Sequence, residues 1–328
     1  MNKINTDSIF TIQREDEFEK IALNIFQFQV NNCTVYADFV RNLAIDPAQV
    51  SAIGDIPFLP IEFFKNHRVI SKQTKPAITF TSSGTTSLNQ STHIITDLSI
   101  YERSFNKSFE LVYNHVQDLA IIALLPSYLE RQGSSLIYMV DAFIHQSKYP
   151  QSGYFLYNHT ELVATLNDLK DQNIPTLLIG VTYALLDFIE AHQLNFPKLI
   201  VMETGGMKGR KKELVRKELH QILCKGFGVE HIHSEYGMTE LLSQAYSRGS
   251  GLFHCPPWMQ VYVRDINDPL TILPHTQTGG INVIDLANIY SCSFIATQDL
   301  GKLHTKNCFE VLGRFDASDV RGCNLLIQ

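Results

Sequence analysis

Long apolar runs are missing from this 328-residue chain, and none reaches the length needed to span a bilayer. Nor does Met1 to Arg14 carry a charged stretch leading into an apolar one. Neither a membrane span nor an export signal is expected, and the cytoplasm is the default compartment. Basic excess is missing too: 27 Lys and Arg against 33 Asp and Glu leave a formal net charge of -6. That balance argues against a nucleic-acid footprint and favours small-molecule or protein partners. Cysteine is sparse and scattered, at Cys33, Cys224, Cys255, Cys292, Cys308 and Cys323, which reads as free thiols rather than a disulfide framework. No two have Cys-x-x-Cys spacing, which disfavours a zinc site built from His254, Cys255, Cys292, His304 and Cys308. The Gly-Lys-Ser/Thr of a standard phosphate loop is also absent.

At 45% hydrophobic, the chain has the composition of an ordinary globular protein with one large core or two domains. Apolar positions Phe18, Ile21, Ala22, Ile25, Phe26 and Phe28 fall at helical spacing within Glu15 to Leu43, so one or two amphipathic helices are expected there. Two prolines in Ile53 to Pro60 break the pattern into an irregular brace ahead of Ile61-Glu62-Phe63-Phe64-Lys65. A helix from Asp97 to about His115 follows, then a buried strand at Ala120 to Leu125. Helices at 160–169, 183–192 and 211–223 alternate with strands at 176–179, 199–202 and 231–233. That rhythm predicts an α/β fold with a largely parallel sheet covered on both faces. From about Leu252 the pattern changes to short strands at 259–263, 280–285, 294–296 and 309–312, a smaller β-rich subdomain. The expected division is 1–75 as helical part and brace integral to the fold, 76–251 as α/β core, and 252–328 as β-rich subdomain and tail.

The chain's richest Ser/Thr stretch is Thr79-Phe80-Thr81-Ser82-Ser83-Gly84-Thr85-Thr86-Ser87, after the β-prone Pro76-Ala77-Ile78. A turn here presents hydroxyls and backbone N–H groups to one point, as a phosphate chain requires; an ordinary solvated turn has the same composition. His233-Ser234-Glu235-Tyr236-Gly237-Met238-Thr239-Glu240 leads from an apolar strand into a helix-like Leu241-Leu242-Ser243-Gln244. Strand-to-loop junctions are where α/β proteins bind ligands. There Tyr236 suits a base, Thr239 a phosphate oxygen and Glu240 Mg²⁺, the plainer reading being a buried Tyr and a helix-capping Thr-x-x-Ser. Asp299 ends another strand, its carboxylate matched to ribose hydroxyls, and Arg314 follows a further one, its guanidinium matched to an α-phosphate or ribose oxygen. Lys208 to Lys212, with Arg216 and Lys217, reads as a solvated helix face.

The order Thr81 to Thr86, Gly205-Gly206, Tyr236 to Glu240, Asp299 and Gly313-Arg314-x-Asp316 resembles the adenylate-forming superfamily of acyl-CoA synthetases, luciferases and peptide-synthetase adenylation domains. Within it the chain is most similar to the acyl-protein synthetases of bacterial luminescence (LuxE type). The likeness rests on Ile56 to Lys65, on Leu125-Pro126-Ser127-Tyr128-Leu129-Glu130-Arg131-Gln132-Gly133-Ser134-Ser135-Leu136 and on Val320 to Leu325. The resemblance implies the fold of the superfamily's N-terminal domain and a two-step reaction. A carboxylic acid, fatty or otherwise apolar, and ATP give acyl-adenylate and pyrophosphate, and the acyl group then passes to an enzyme thiol. It also implies roles. Thr81, Ser82, Ser83, Gly84, Thr85 and Thr86 hold the β- and γ-phosphates, Gly205 and Gly206 lie against adenine, and Tyr236 with Gly237 and Met238 stacks on it. Thr239 contacts the α-phosphate, Glu240 the Mg²⁺, Asp299 the ribose, and Arg314 the ribose or α-phosphate. Gly180-Val181-Thr182-Tyr183 resembles the acyl-pocket loop, although its apolar neighbours also read as an ordinary core helix.

Two departures from the family pattern carry expectations. Ser87 stands where many relatives have Gly and no Lys follows, so triphosphate binding relies on Mg²⁺ and hydroxyls. The chain also stops soon after Gly322, where full-length relatives continue into a further domain of about 100 residues, so the swinging domain and its Lys are expected to be absent. Cys323, beside Arg321 and Gly322, is then the expected acyl acceptor, since a neighbouring cation lowers a thiol pKa and glycine frees the tail. Partners implied are an acyl reductase, an acyltransferase or a carrier protein. Two other readings stay open: an adenylating enzyme that hands the acyl group to CoA, a carrier protein or an amine, and a non-catalytic nucleotide-binding scaffold.

Overall fold

The computed structural model describes residues 5–71, 75–83, 90–126, 133–205 and 215–314. In chain order these form α1 (Thr6–Ile9), α2 (Glu15–Asn32), α3 (Thr34–Asn42), β1 (Leu59–Pro60), α4 (Phe63–Asn66), β2 (Ile78–Thr81), β3 (Thr92–Ile95) and α5 (Leu98–Tyr113). Next come β4 (Ala120–Leu124), α6 (Ser135–Gln146), β5 (Gly153–Tyr154), α7 (His159–Asp171), β6 (Thr176–Val181), α8 (Thr182–Ala191), β7 (Ile200–Thr204), α9 (Arg216–Phe227) and β8 (Ile232–Tyr236). The chain continues through β9 (Ala245–Ser247), β10 (Leu252–His254), β11 (Met259–Arg264), β12 (Thr278–Asp285), β13 (Phe294–Thr305) and β14 (Cys308–Arg314). Two compact units emerge, one drawn from 1–77, 86–97 and 255–328, the other from 78–85 and 98–254.

In the first unit, β11, β12, β13 and β14 form an antiparallel run in sequence order, and β1 pairs in parallel with β13 through Leu59 and Ile295. The proline-rich brace thus adds a short strand to a sheet formed some 230 positions later. The expected amphipathic region is two helices. On α2 the buried residues Phe18, Ala22, Ile25, Phe26 and Gln29 repeat at helical spacing. At its start the Glu17 carboxylate accepts from the Gln13 and Arg14 N–H groups at 2.9 and 3.2 Å, capping free donors. Gln29 is wholly buried yet satisfied: its amide donates to the Asn288 and Ile289 carbonyls and its oxygen accepts from Ser293 N–H, all at 2.9–3.0 Å. Tyr36 of α3 stacks on Phe294 and donates to the Pro57 carbonyl at 2.7 Å.

The second unit has the strand order β10-β9-β8-β7-β6-β4-β5, parallel from β8 to β5 and antiparallel from β8 to β10. The sequence Ala-Ile-Ile-Ala-Leu of β4 and Thr-Leu-Leu-Ile-Gly of β6 is buried at every position, as strands covered on both faces require. One face packs Leu162, Leu166 and Leu169 of α7, Leu185 and Phe188 of α8 and Leu219 and Leu223 of α9 over Ile122, Leu178, Val201 and Ile232. Phe105 and Phe109 of α5 meet Phe143 of α6 at 5.5 and 4.7 Å, and Phe109 meets Tyr246 of β9 at 6.0 Å.

Several local expectations are corrected. Helix α6 was not foreseen, although Ser134 caps it by accepting from Ile137 N–H at 3.4 Å. The strand expected at 231–233 runs from Ile232 to Tyr236, so Tyr236 is its last residue. No helix follows Glu240: Leu241 and Leu242 are buried in a loop, and the chain returns as β9, antiparallel to β8. Leu241 N–H donates instead to the Met238 carbonyl, and pairing with β8 begins at Ala245. Helix α9 begins at Arg216, which is not a freely solvated cation, since its guanidinium lies 4.8 Å over the Phe253 ring.

Candidate active site

The carboxyl ends of β6, β7 and β8 lie in one register. Val181 pairs with Thr204, and Thr204 with Glu235, so the next residues Thr182, Gly205 and Tyr236 leave three neighbouring parallel strands at one edge. Such an edge is where open α/β sheets gather ligands. The Thr182 hydroxyl donates to the Gly205 carbonyl at 2.7 Å and reaches Glu203 at 3.4 Å. Gly205 takes φ +70, with nothing within 4 Å of where a β-carbon would stand. The glycine is therefore demanded by backbone conformation, and no described residue crowds the position. Val181 and Tyr183 are half-buried, while Gly180 packs between Leu124 and Leu185.

Tyr236 is buried with its ring 5.8 Å from Phe253. A β-carbon on Gly237 would meet Glu235 Oε1, so that carboxyl end, held on its other oxygen by Thr204, would have to shift. Met238, Thr239 and Glu240 follow in a turn closed by Leu241 N–H donating to the Met238 carbonyl at 3.1 Å. Glu240 is 5% exposed, and Met238 and Thr239 are half-buried. The register also singles out two residues that sequence reasoning passed over. Thr204 Oγ1 donates to Glu235 Oε2 at 2.7 Å, and burial, with Glu203 nearby and opposed by the Thr204 bond, pushes Glu235 up to about 7. The available signal was a carboxylate interrupting each apolar strand, in Ile-Val-Met-Glu-Thr and in Ile-His-Ser-Glu-Tyr.

The stem of the Ser/Thr-rich stretch is fixed by its neighbours. Phe80 is fully buried against Tyr101 and Tyr138 at 5.3 and 5.8 Å, and Thr81 N–H donates to the Gly133 carbonyl at 2.7 Å. Ser82 is half-buried and Ser83 exposed. Gly84, Thr85, Thr86, Gly206 and Cys323 lie outside the described residues.

Asp299 and Arg314 belong to the first unit, where they are cross-strand partners on β13 and β14. Arg314 Nε lies 3.4 Å from Asp299 Oδ1, and its Nη2 donates to Gln298 Oε1 at 3.3 Å. Gln298 in turn donates to Glu62 at 2.6 Å, tying this pair to the brace. Asp299 is nearly covered and Arg314 mostly open to water, so the guanidinium retains donors for a further anion.

The fold is that of the adenylate-forming ligases. An open form of 2-hydroxyisobutyryl-CoA ligase, solved with 2-HIB-AMP and CoA, superposes with TM-score 0.70 at 13% identity, over 93% of this chain and 70% of that one. ATP-bound MatB from Rhodopseudomonas palustris gives TM-score 0.55 at 17% identity, over 74% of this chain and 49% of that one. At the level of sequence, a profile of the acyl-protein synthetase family LuxE matches residues 9–328. The chain belongs to the LuxE acyl-protein synthetase family. The long-chain-fatty-acid–luciferin-component ligase of Vibrio harveyi is 23% identical over 350 residues, spanning 98% of this chain and 90% of that protein.

Proposed function

We propose that this chain activates a fatty or similarly apolar acid with ATP and Mg²⁺ and passes the acyl group to the thiol of Cys323. In the first step a carboxylate oxygen of the acid attacks the α-phosphorus and pyrophosphate leaves. In the second the Cys323 thiolate attacks the acyl carbonyl and AMP leaves, giving a thioester. The protein's part in the first step is positioning and charge neutralisation. Thr81 to Thr86 take the β- and γ-phosphates, Gly205, Gly206 and Tyr236 to Met238 the adenine, and Thr239 the α-phosphate. Asp299 takes the ribose and Arg314 the ribose or α-phosphate. Gly180 to Tyr183 face the acyl chain. Glu240 offers the hard oxygen that Mg²⁺ prefers and would hold the metal beside the phosphates. The acyl group would then be drawn off by an acyl reductase, an acyltransferase or a carrier protein.

One observation carries this reading: three of the residues assigned to nucleotide and acid, Thr182, Gly205 and Tyr236, leave adjacent parallel strands in register, in a chain that matches the family over 9–328. Acid-dependent ATP–pyrophosphate exchange across a panel of fatty acids tests it. Exchange lost on Glu240→Ala, and a hydroxylamine-labile acyl label lost on Cys323→Ser, are expected. Exchange that persists while the label survives Cys323→Ser moves the acceptor elsewhere. No exchange with any acid overturns the enzymatic assignment of these residues.

A further inference from the structure

Thr204 and Glu235 do more than neighbour the edge just described. They are register partners on β7 and β8, so their side chains rise from the same face of the sheet. The Thr204 hydroxyl donates to one carboxyl oxygen of Glu235, and the other oxygen occupies the space that a side chain on residue 237 would need. One buried carboxyl thus touches the end of β7, one residue before Gly205, and the turn leaving β8, one residue after Tyr236.

Its surroundings do not favour a charge. Tyr246 stands directly across on β9, Tyr101 of α5 lies near enough for its own ionisation to be opposed by Glu235, and Glu203 precedes Thr204 on β7. His220 of α9 lies 3.7 Å from Glu203, whose side chain, one residue before Thr204 on β7, points to the opposite face of the sheet and leaves Glu235 unpaired by it. A carboxyl in such a place costs stability that an apolar residue of the same size would not. What the carboxyl does contact is the edge itself, through the Thr204 hydroxyl and the close approach of Gly237.

We propose that Glu235 is a positioning residue for the nucleotide: it fixes Gly205 and the Tyr236–Gly237 turn against each other, so that the adenine meets a preformed edge. The inference rests on the assignment of Gly205 and Tyr236 to the nucleotide. Preorganisation of this kind lowers the ordering cost of binding and appears in affinity more than in turnover.

The test is the KM for ATP and the kcat of ATP–pyrophosphate exchange at saturating acid, measured from pH 5.5 to 8.5 for wild type, Thr204→Val, Glu235→Leu, Glu235→Gln and Tyr236→Ala. A lost buried hydrogen bond corresponds to roughly a tenfold rise in KM, so Thr204→Val and Glu235→Leu should show about that rise with kcat little changed. Glu235→Gln keeps an acceptor for Thr204 and the bulk beneath Gly237. It should restore KM, and should erase the change in KM with pH around neutrality that ionisation of Glu235 is expected to give the wild type. If Tyr236→Ala raises KM while Thr204→Val and Glu235→Leu leave it unchanged, the proposal is overturned and the nucleotide assignment stands. If Tyr236→Ala itself leaves KM unchanged, the assignment falls and the proposal with it. If Glu235→Leu does not fold, Thr204→Val and the pH profile of Glu235→Gln decide. A fall in kcat and rise in KM together, unrelieved by glutamine, marks a purely structural carboxyl and also overturns the proposal.

Discussion

Asp299 and Arg314 face each other across adjacent antiparallel strands, 3.4 Å apart, with 13% of one side chain and 66% of the other exposed. An ion pair with so open a member contributes at most about 1 kcal/mol to stability. A guanidinium hydrogen-bonded to bound substrate is worth about 1.5–3 kcal/mol, or roughly ten- to a hundredfold. Arg314→Ala is therefore expected to leave the thermal unfolding midpoint nearly unchanged while lowering kcat/KM for ATP at least about tenfold. A fall in stability with unaltered exchange kinetics would make Arg314 a strand-pairing residue.

Gly237→Ala should damage stability and exchange together, because the added methyl group displaces the Glu235 carboxyl from its bond to Thr204. Overpacking of this kind costs about 1–3 kcal/mol. Shortening the opposing residue should relieve it, so Gly237→Ala combined with Glu235→Ala should be more stable than the sum of the single losses predicts. Denaturant midpoints of the four proteins in that cycle measure the coupling.

One buried and one half-buried group give opposing pH dependences. Glu235 is raised to about 7, so between pH 4.5 and 7 the native state binds more protons than the unfolded chain and stability falls as pH rises. His233 is lowered to about 4 by burial, by Arg248 and by neighbouring histidines, so from pH 6.5 down to 4 stability falls as pH falls. In wild type the two slopes offset each other. Glu235→Gln should leave a stability that declines more steeply on acidification, and should be the more stable protein above pH 7 by on the order of 1–3 kcal/mol. Replacing His233 by Phe should leave the reverse slope. Urea midpoints at half-unit pH steps would reveal either trend, and parallel curves for all three proteins would contradict both.

Leu178 lies at the centre of the second unit, fully buried beneath α7, α8 and α9. Leu178→Ala should cost about 2–5 kcal/mol in denaturant unfolding. Below the unfolding transition its KM for ATP should match wild type, which separates loss of core from loss of site.

The parallel strands and most helices were legible because their side chains follow a single period: β4 is apolar throughout and β6 from Leu177 on, and α2 and α5 repeat at helical spacing. The Leu241-Leu242 run misled because apolar content without sustained periodicity does not distinguish a helix from a buried loop, and the pairing of Tyr236 with Ala245 settles the matter at a distance in sequence. Strands β9 and β10 have three residues each, too few for a pattern. The motifs assigned to the nucleotide were visible as residue types in order. The carboxyl of Glu235 was not, because its meaning depends on Thr204 lying opposite and on the missing side chain of Gly237, which only the register of two strands brings together.

The bonds from Gln29 to Asn288, Ile289 and Ser293 carry a consequence for biosynthesis. They span 259 to 264 positions, so α2 emerges from the ribosome long before the residues that satisfy it exist. At about 5–20 residues per second the wait is roughly 13–50 s. Throughout it the Phe294 ring that Phe26 meets at 6.2 Å is missing, while 78–85 and 98–254, which form a compact unit of their own, are completed well before it. The order of assembly should thus run from the middle of the sequence outward, and a nascent chain arrested near residue 260 should present α2 to chaperones while its α/β unit is already resistant to protease.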